Sequence, residues 1–279
     1  MSAPYFQLTY NTLNAHGWSV AVVQNEFDAG YQLNLNGLAD ELNPQVGLVS
    51  LASPQNPSGV SYPLETVQEL VGIMASKSPN AVLLVDEIYR EAVFDEQNLV
   101  GSASNLSPRI ITCGSVSKAY GVPGLRAGWL IVADPELRQR FITAKQNIVI
   151  SDSVLTETLA AKVLSHAPEI LKQQRQHMAT GLQLVEQWVE SESEFVDWVR
   201  PDAGALCCMR LNRDRFNDDQ VTAFWHHLAE VDTFVRPGLM FGSDSRHFRL
   251  GFGSLPFDQL EIGLDNVSKV LRKMEIKNV

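Results

Sequence analysis

Lys118 lies in the string Gly114-Ser-Val-Ser-Lys-Ala-Tyr-Gly-Val-Pro-Gly-Leu-Arg-Ala-Gly-Trp129. Ser115 and Ser117 stand just before it, and Arg126 follows eight residues later. A lysine between small hydroxyl residues and a glycine-rich, arginine-bearing turn suits one task. It can hold an aldehyde cofactor as a Schiff base while the hydroxyls and the guanidinium grip that cofactor's phosphate. A lysine with its ordinary pKa of about 10.4 is a poor nucleophile, so the role calls for desolvation or nearby cations. Arg126 and apolar surroundings are the candidates to supply it. Alone, Ser-x-Ser-Lys also describes a surface lysine after a strand. Gly121, Gly124 and Arg126 turn the reading towards function.

The whole string closely resembles the lysine segment of fold-type I pyridoxal-phosphate (PLP) aminotransferases, the class I/II family. PLP asks five things of a protein: a Schiff-base lysine, an acid facing the ring nitrogen, donors to the phenolic oxygen, a stacking partner and a phosphate cradle. The resemblance assigns each of them. Lys118 is the Schiff-base lysine. Asp86, directly after Ala81-Val-Leu-Leu-Val85, pairs with the pyridine nitrogen and keeps the ring an electron sink. Tyr89, three residues on, and Asn56, in the turn Ser53-Pro-Gln-Asn-Pro-Ser-Gly59, reach the phenolic oxygen. Phe6 stacks on the ring, with Tyr5 as its competitor. Ser115, Ser117 and Arg126 hold the phosphate. Arg249, alternating with apolar residues in His247-Phe-Arg-Leu-Gly-Phe252, binds a substrate carboxylate bidentately. Arg236 and Arg246 compete for that place.

Composition leaves this chemistry room and removes others. The chain has 279 residues, enough for two domains with full cores. It is 45% hydrophobic and 19% charged, with 22 basic against 32 acidic residues and a formal net charge of -10. That balance argues against nucleic acid or an anionic membrane as the main partner. Cys113, Cys207 and Cys208 are too few for a disulfide framework, and no cysteine–histidine cluster has zinc spacing, so no metal is expected. No apolar stretch approaches membrane-spanning length, and a cytoplasmic protein is the expectation. Ser115-Val-Ser-Lys118 also meets the Ser-x-x-Lys pattern of penicillin-binding serine enzymes, but neither Ser-Asp-Asn nor Lys-Thr-Gly occurs. There is no P-loop and no Gly-x-Gly-x-x-Gly string.

Short apolar runs alternate with longer amphipathic ones. Strands are expected at Trp18–Val23, Val46–Ala52, Ala81–Val85, Ile110–Cys113 and Trp129–Val132. A helix is expected from Pro63 to Ala75, and Asp134-Pro-Glu136 reads as a helix start. This is an α/β pattern: a mostly parallel sheet with helices on both faces, its ligands at the C-terminal strand ends. Helices follow at Thr156–Leu164 and Pro168–Val189, then Glu190-Ser-Glu-Ser-Glu194 as a solvated link. A smaller αβ region completes the chain, with Leu206–Leu211, Thr233–Val235 and His247–Phe252 as strands and Asp219–Leu228 and Phe257–Lys273 as helices. The expected division is a PLP-binding large domain over 1–180, N-terminally incomplete, and a C-terminal small domain over 181–279.

The resemblance implies transamination between an amino acid and a 2-oxo acid, carried out by a homodimer. Family members carry a substantial portion before the stacking aromatic, which includes a phosphate-gripping turn. Two other readings follow from its absence here: a truncated, inert homologue acting as a binding or scaffold protein, and a half-enzyme completed by a separate chain. Other fold-type I reactions (lyase, synthase, oxidase) share the same machinery. Members that prefer dicarboxylates bring a further arginine in after the helix that here ends near Lys145. Gln146-Asn-Ile-Val-Ile-Ser151 has no basic residue, so the expectation leans away from aspartate.

Overall fold

A computed structural model describes residues 1–275. The chain opens with β1 (Ser2–Ala3), α1 (Gln7–Ala15), β2 (Val23–Gln24) and α2 (Leu35–Glu41). Next come β3 (Leu48–Ala52), α3 (Leu64–Lys77), β4 (Val82–Asp86), β5 (Ile110–Ser115) and β6 (Gly128–Val132). Three helices follow, α4 (Pro135–Ile148), α5 (Val154–Ser165) and α6 (Ala167–Ser191). The last third holds β7 (Val196–Val199), β8 (Leu206–Leu211), α7 (Asp218–Glu230), β9 (Arg236–Pro237), β10 (His247–Gly251) and α8 (Phe257–Glu275).

The first sheet has the order β3-β4-β5-β6. Its first three strands are parallel, and β6 returns antiparallel at the edge. Along β4 burial alternates, as the two-residue side-chain period of a strand requires. Leu83 and Val85 face a core with Val67, Leu70 and Met74 of α3. Asp86 keeps the other parity and points to the opposite face. The registers Ala52↔Asp86 and Asp86↔Cys113 bring the C-terminal ends of β3, β4 and β5 level. Three of the expected site segments start from those ends.

The second sheet, β7-β8-β10-β9, is antiparallel throughout. Its core is built with α6, α7 and α8 around Trp188, Phe224, Phe248 and Leu271. Helix α6 joins the two regions. At 25 residues it runs about 38 Å. Its first half places Leu171 and Met178 with Val116, Ala119 and Tyr120 of the lysine segment. Its second half places Leu182, Val185 and Trp188 in the second core. At Gly181 an added Cβ would lie 2.8 Å from the Phe252 carbonyl oxygen, so only glycine lets the helix pass that closely.

Several expectations need correction. Trp18–Val23 is not a strand; only Val23 and Gln24 pair, with the two residues of β1. A strand exists only where a partner supplies hydrogen bonds. Thr233–Val235 is not a strand either, and pairing starts at Arg236. The run Glu190–Glu194 is exposed as expected except at its centre, Glu192. Helix α6 continues to Ser191, and Glu192 turns inward to accept from Ser268 Oγ at 2.8 Å and pair with Arg272 at 2.9 Å. Helices α1 and α2 and strand β7 were not expected at all. No helix of the described residues is long and apolar enough to cross a membrane.

Gly59 closes the turn after β3 with φ +75°, and a Cβ there would meet Pro201 Cβ at 2.5 Å and the Ala203 carbonyl oxygen at 2.8 Å. Gly59→Ala therefore adds left-handed strain and a clash, together about 2–4 kcal/mol of destabilisation. Thermal unfolding is expected to shift down by roughly 5–10 °C. An unchanged midpoint would show that the turn relaxes freely.

Candidate active site

The turn after β3 is held by its own backbone and by polar side chains. Gly59 donates to the Gln55 carbonyl at 2.7 Å, and Gln55 to that of Val60 at 2.8 Å. Gln55 Nε2 donates to the Tyr62 hydroxyl at 3.0 Å, and Asn25 Nδ2 to the same oxygen at 2.9 Å. Asn56 is thereby fixed and buried. Its Oδ1 accepts from Arg249 Nη1 at 3.0 Å. That bond links the first sheet to the second across 193 residues of sequence.

Asp86 ends β4 as a partly buried carboxylate. It accepts from the Ile88 backbone N–H at 3.0 Å and from the Cys113 thiol opposite it on β5. Among the described residues no lysine, arginine or histidine pairs with it. Burial pushes its carboxyl above the usual carboxylate range, and the two hydrogen bonds only partly offset this. Cys113 answers in kind: burial, then the Asp86 charge, push its thiol up to about 12. The neighbouring Glu87 turns away to Ser102 Oγ and the Ala103 N–H.

Tyr89 is buried, its ring packed on Gly204. Burial pushes its phenol up to about 12, while the Arg249 charge works in the opposite direction. Lys118 reaches over this ring, with Nζ 5.8 Å from the centroid. Val116, Ala119 and Tyr120 on either side are buried, and the Tyr120 hydroxyl donates to Glu91 Oε2 at 2.7 Å. The segment is thus anchored by its neighbours while Lys118 projects outward. The apolar surroundings expected for Lys118 are not found, because its side chain is exposed.

Ser115 Oγ accepts from the Ser117 N–H at 3.1 Å, which places both at the mouth of β5. Arg126 adopts a left-handed backbone with φ 54°, and its Nη1 donates back to the Pro123 carbonyl at 3.0 Å. Phe6 precedes α1 and is exposed. Tyr5 is already occupied, stacked on Tyr10 at 5.2 Å and tied through its N–H to the Phe241 carbonyl at 2.8 Å. The Phe241 ring in turn lies 5.0 Å from the Arg249 guanidinium carbon. Of the competing arginines, Arg246 is committed elsewhere, to the Phe216 carbonyl and Asp218. Arg236 stands directly opposite Arg249 across β9 and β10.

Asn56, Asp86, Tyr89, Lys118 and Arg249 therefore gather at the strand ends, with Ser115, Ser117 and Arg126 on the adjoining turn. Sequence reading missed Cys113 beside Asp86. Its signal is the register of two parallel strands, which the linear chain does not state. The donor set fits PLP. A partly buried carboxylate without a cation is matched by a protonated ring nitrogen. Lys118, unpaired with any carboxylate among the described residues, is available for an aldehyde.

Comparisons with known proteins agree with this chemistry. The profile of the family "Aminotransferase class I and II" matches residues 1–267. Capreomycidine synthase of Streptomyces vinaceus is 30% identical over 242 residues, covering 87% of this chain and 60% of that protein. Aspartate aminotransferase of Rhizobium meliloti is 28% identical over 258 residues, covering 88% of this chain and 62% of that protein. A PLP-dependent aminotransferase structure from Streptococcus suis superposes with a TM-score of 0.85 at 27% identity, covering 98% of this chain and 70% of that one. The chain thus spans about three fifths of the length of the two curated relatives.

Asp86 supplies a test of its own. Its folded pKa is raised, so its contribution is most favourable below the unfolded pKa of about 3.9 and is lost as pH rises through the folded value. Asp86→Asn removes that loss and keeps an acceptor for Ile88. The cofactor-free variant is expected to be more stable than the parent at pH 7, by about 1–3 kcal/mol. The two should converge as pH falls towards 4. A variant less stable than the parent at pH 7 would contradict this.

Proposed function

The chain belongs to the class I and II aminotransferase family, and from that premise we propose that it moves an amino group between an amino acid and a 2-oxo acid with PLP held at Lys118. The observation that carries the reading is Asp86, a partly buried carboxylate that lacks a cation at the end of a parallel strand. When bound, PLP supplies an electron sink for negative charge developing at the substrate's Cα.

The residues divide the remaining work. Lys118 offers the amine that anchors the cofactor and, once displaced by substrate, moves the proton at Cα. Asp86 keeps a proton on the ring nitrogen. Tyr89 stays a neutral donor throughout the physiological range, since burial holds its phenol near 12. The Asn56 amide is fixed by its turn and donates beside it. Arg249 orients the substrate carboxylate, and its own position is set by the bond to Asn56. Ser115, Ser117 and Arg126 are the phosphate donors, and Phe6 is the stacking aromatic. A division into domains near residue 180, inside α6, belongs to the same reading.

A second reading is supported by the 30% identity to capreomycidine synthase. The same residues would then serve a synthase or lyase reaction rather than transfer. Lys118→Ala tests both readings at once. Borohydride is expected to fix PLP covalently to the parent and not to the variant. Equal covalent capture by both would remove Lys118 from the site. Half-transamination with unlabelled amino acids, followed by the appearance of pyridoxamine phosphate, separates transfer from the second reading.

The partner is proposed to be a second copy of the chain, with a separate chain completing the site as the alternative. The end of α4, the turn after it and the start of α5 leave Ile148, Ile150, Val154 and Leu155 exposed at 82, 91, 74 and 77%. Such a run of apolar side chains favours association. The double variant Ile148→Asp, Ile150→Asp is expected to lower the mass seen by light scattering while leaving the unfolding midpoint within about 2 °C, since neither residue is in the core. An unchanged mass would place the contact elsewhere.

A further inference from the structure

Arg236 and Arg249 are directly opposed residues of β9 and β10. In an antiparallel pair such residues extend from the same face of the sheet, about 5 Å apart at Cβ, and like charges there repel. Neither guanidinium pairs with a carboxylate among the described residues, although the chain carries 32 acidic residues against 22 basic ones. Other arginines of the same region are paired: Arg210 with Asp28 and Asp197, Arg246 with Asp218. Among the described residues Arg249 has only the neutral Asn56 oxygen and the face of Phe241. Its pKa is lowered, first by burial and also by the Arg236 charge. Water screens this couple at the exposed Arg236, and an anion beside the candidate active site would pair with both charges.

We propose that Arg236 is a specificity-determining residue: with Arg249 it forms a two-arginine site for substrates bearing a second anionic group, carboxylate or phosphate, beyond the α-carboxylate. The proposal rests on the reading of Arg249 as the α-carboxylate residue. Arg249, partly buried and fixed by Asn56, takes the α-carboxylate. Arg236, exposed and free to turn, takes the second group. This supplies from the same chain a cation that the run Gln146–Ser151 lacks, and it reverses the expectation that dicarboxylates are disfavoured.

The test is ligand binding to the full chain without cofactor, by calorimetry at constant ionic strength. The probes are propionate, succinate and 3-phosphopropionate. At least one dianion is expected to bind the parent about tenfold or more tightly than propionate, and the two dianions show which second group is preferred. Arg236→Gln should remove that difference and leave propionate affinity unchanged. Arg249→Gln should weaken all three. Arg236→Lys should recover part of the difference, which guards against a folding defect in the glutamine variant. Equal binding of all three by the parent, or a difference that persists in Arg236→Gln, overturns the proposal. Because binding is read without cofactor, it is independent of covalent capture at Lys118, so either result can fail while the other stands.

Discussion

A carboxylate placed out of water without a cation is costly, and the site depends on that arrangement at Asp86. The fold keeps the arrangement by geometry. Asp86 is the last residue of a strand flanked by two parallel neighbours, so its backbone is committed to the sheet, and its carboxylate is held by the Ile88 N–H and the Cys113 thiol. Ile88 and Cys113 satisfy part of its hydrogen-bonding capacity and supply no positive charge. A ligand that brings a protonated nitrogen gains what the protein has withheld. Stability is thus given up locally to prepare binding, a pattern expected where a site is built before its ligand arrives.

The second dependence is the bond between Asn56 and Arg249. The two residues belong to different sheets, yet each orients the other. Asn56 is immobilised by a buried turn, so the first sheet dictates where the guanidinium of the second sheet points. The rigid link between the sheets is α6, whose two halves sit in different cores. On the proposed roles, a substrate held by Arg249 and reacting beside Lys118 has one end referenced to each region. Any bending of α6 would change the distance between carboxylate and amine, which is the quantity that positioning controls in catalysis.

Much of this was legible because it is local. Asp86 follows a short apolar run at once, Asn56 and Lys118 lie in the turns that follow theirs, and strand ends with fixed turns are written in consecutive residues. The helix start at Asp134 was equally local, and the Asp134 side chain caps the Leu137 N–H at 2.7 Å. What sequence did not disclose is pairwise and distant. The Cys113–Asp86 contact and the Arg236–Arg249 opposition are consequences of register. Glu192 looked solvated because its neighbours are polar, whereas Ser268 and Arg272, 76 and 80 positions away, turn it inward. Trp18–Val23 has strand-forming residues but only the short β1 to pair with. The exposure of Lys118 follows from the parity of its anchors: with Val116, Ala119 and Tyr120 turned down, the lysine faces out.

That parity also bears on reactivity. Lys118 is exposed over the Tyr89 ring, and neither Asp86 nor Glu87 pairs with it. Arg126, which could have raised the local positive potential, is turned back onto Pro123. The apolar cover expected around Lys118 is therefore not supplied by the described residues. Activation has to come with the ligand or with whatever covers the outward face of Lys118. Either would remove water from around the amine, as a Schiff-base lysine requires. Cover and cofactor are consequently coupled: each makes the other's contribution to Lys118 larger. Coupling of that kind makes capture of the cofactor depend on the assembly state of the chain, not only on the residues that touch it.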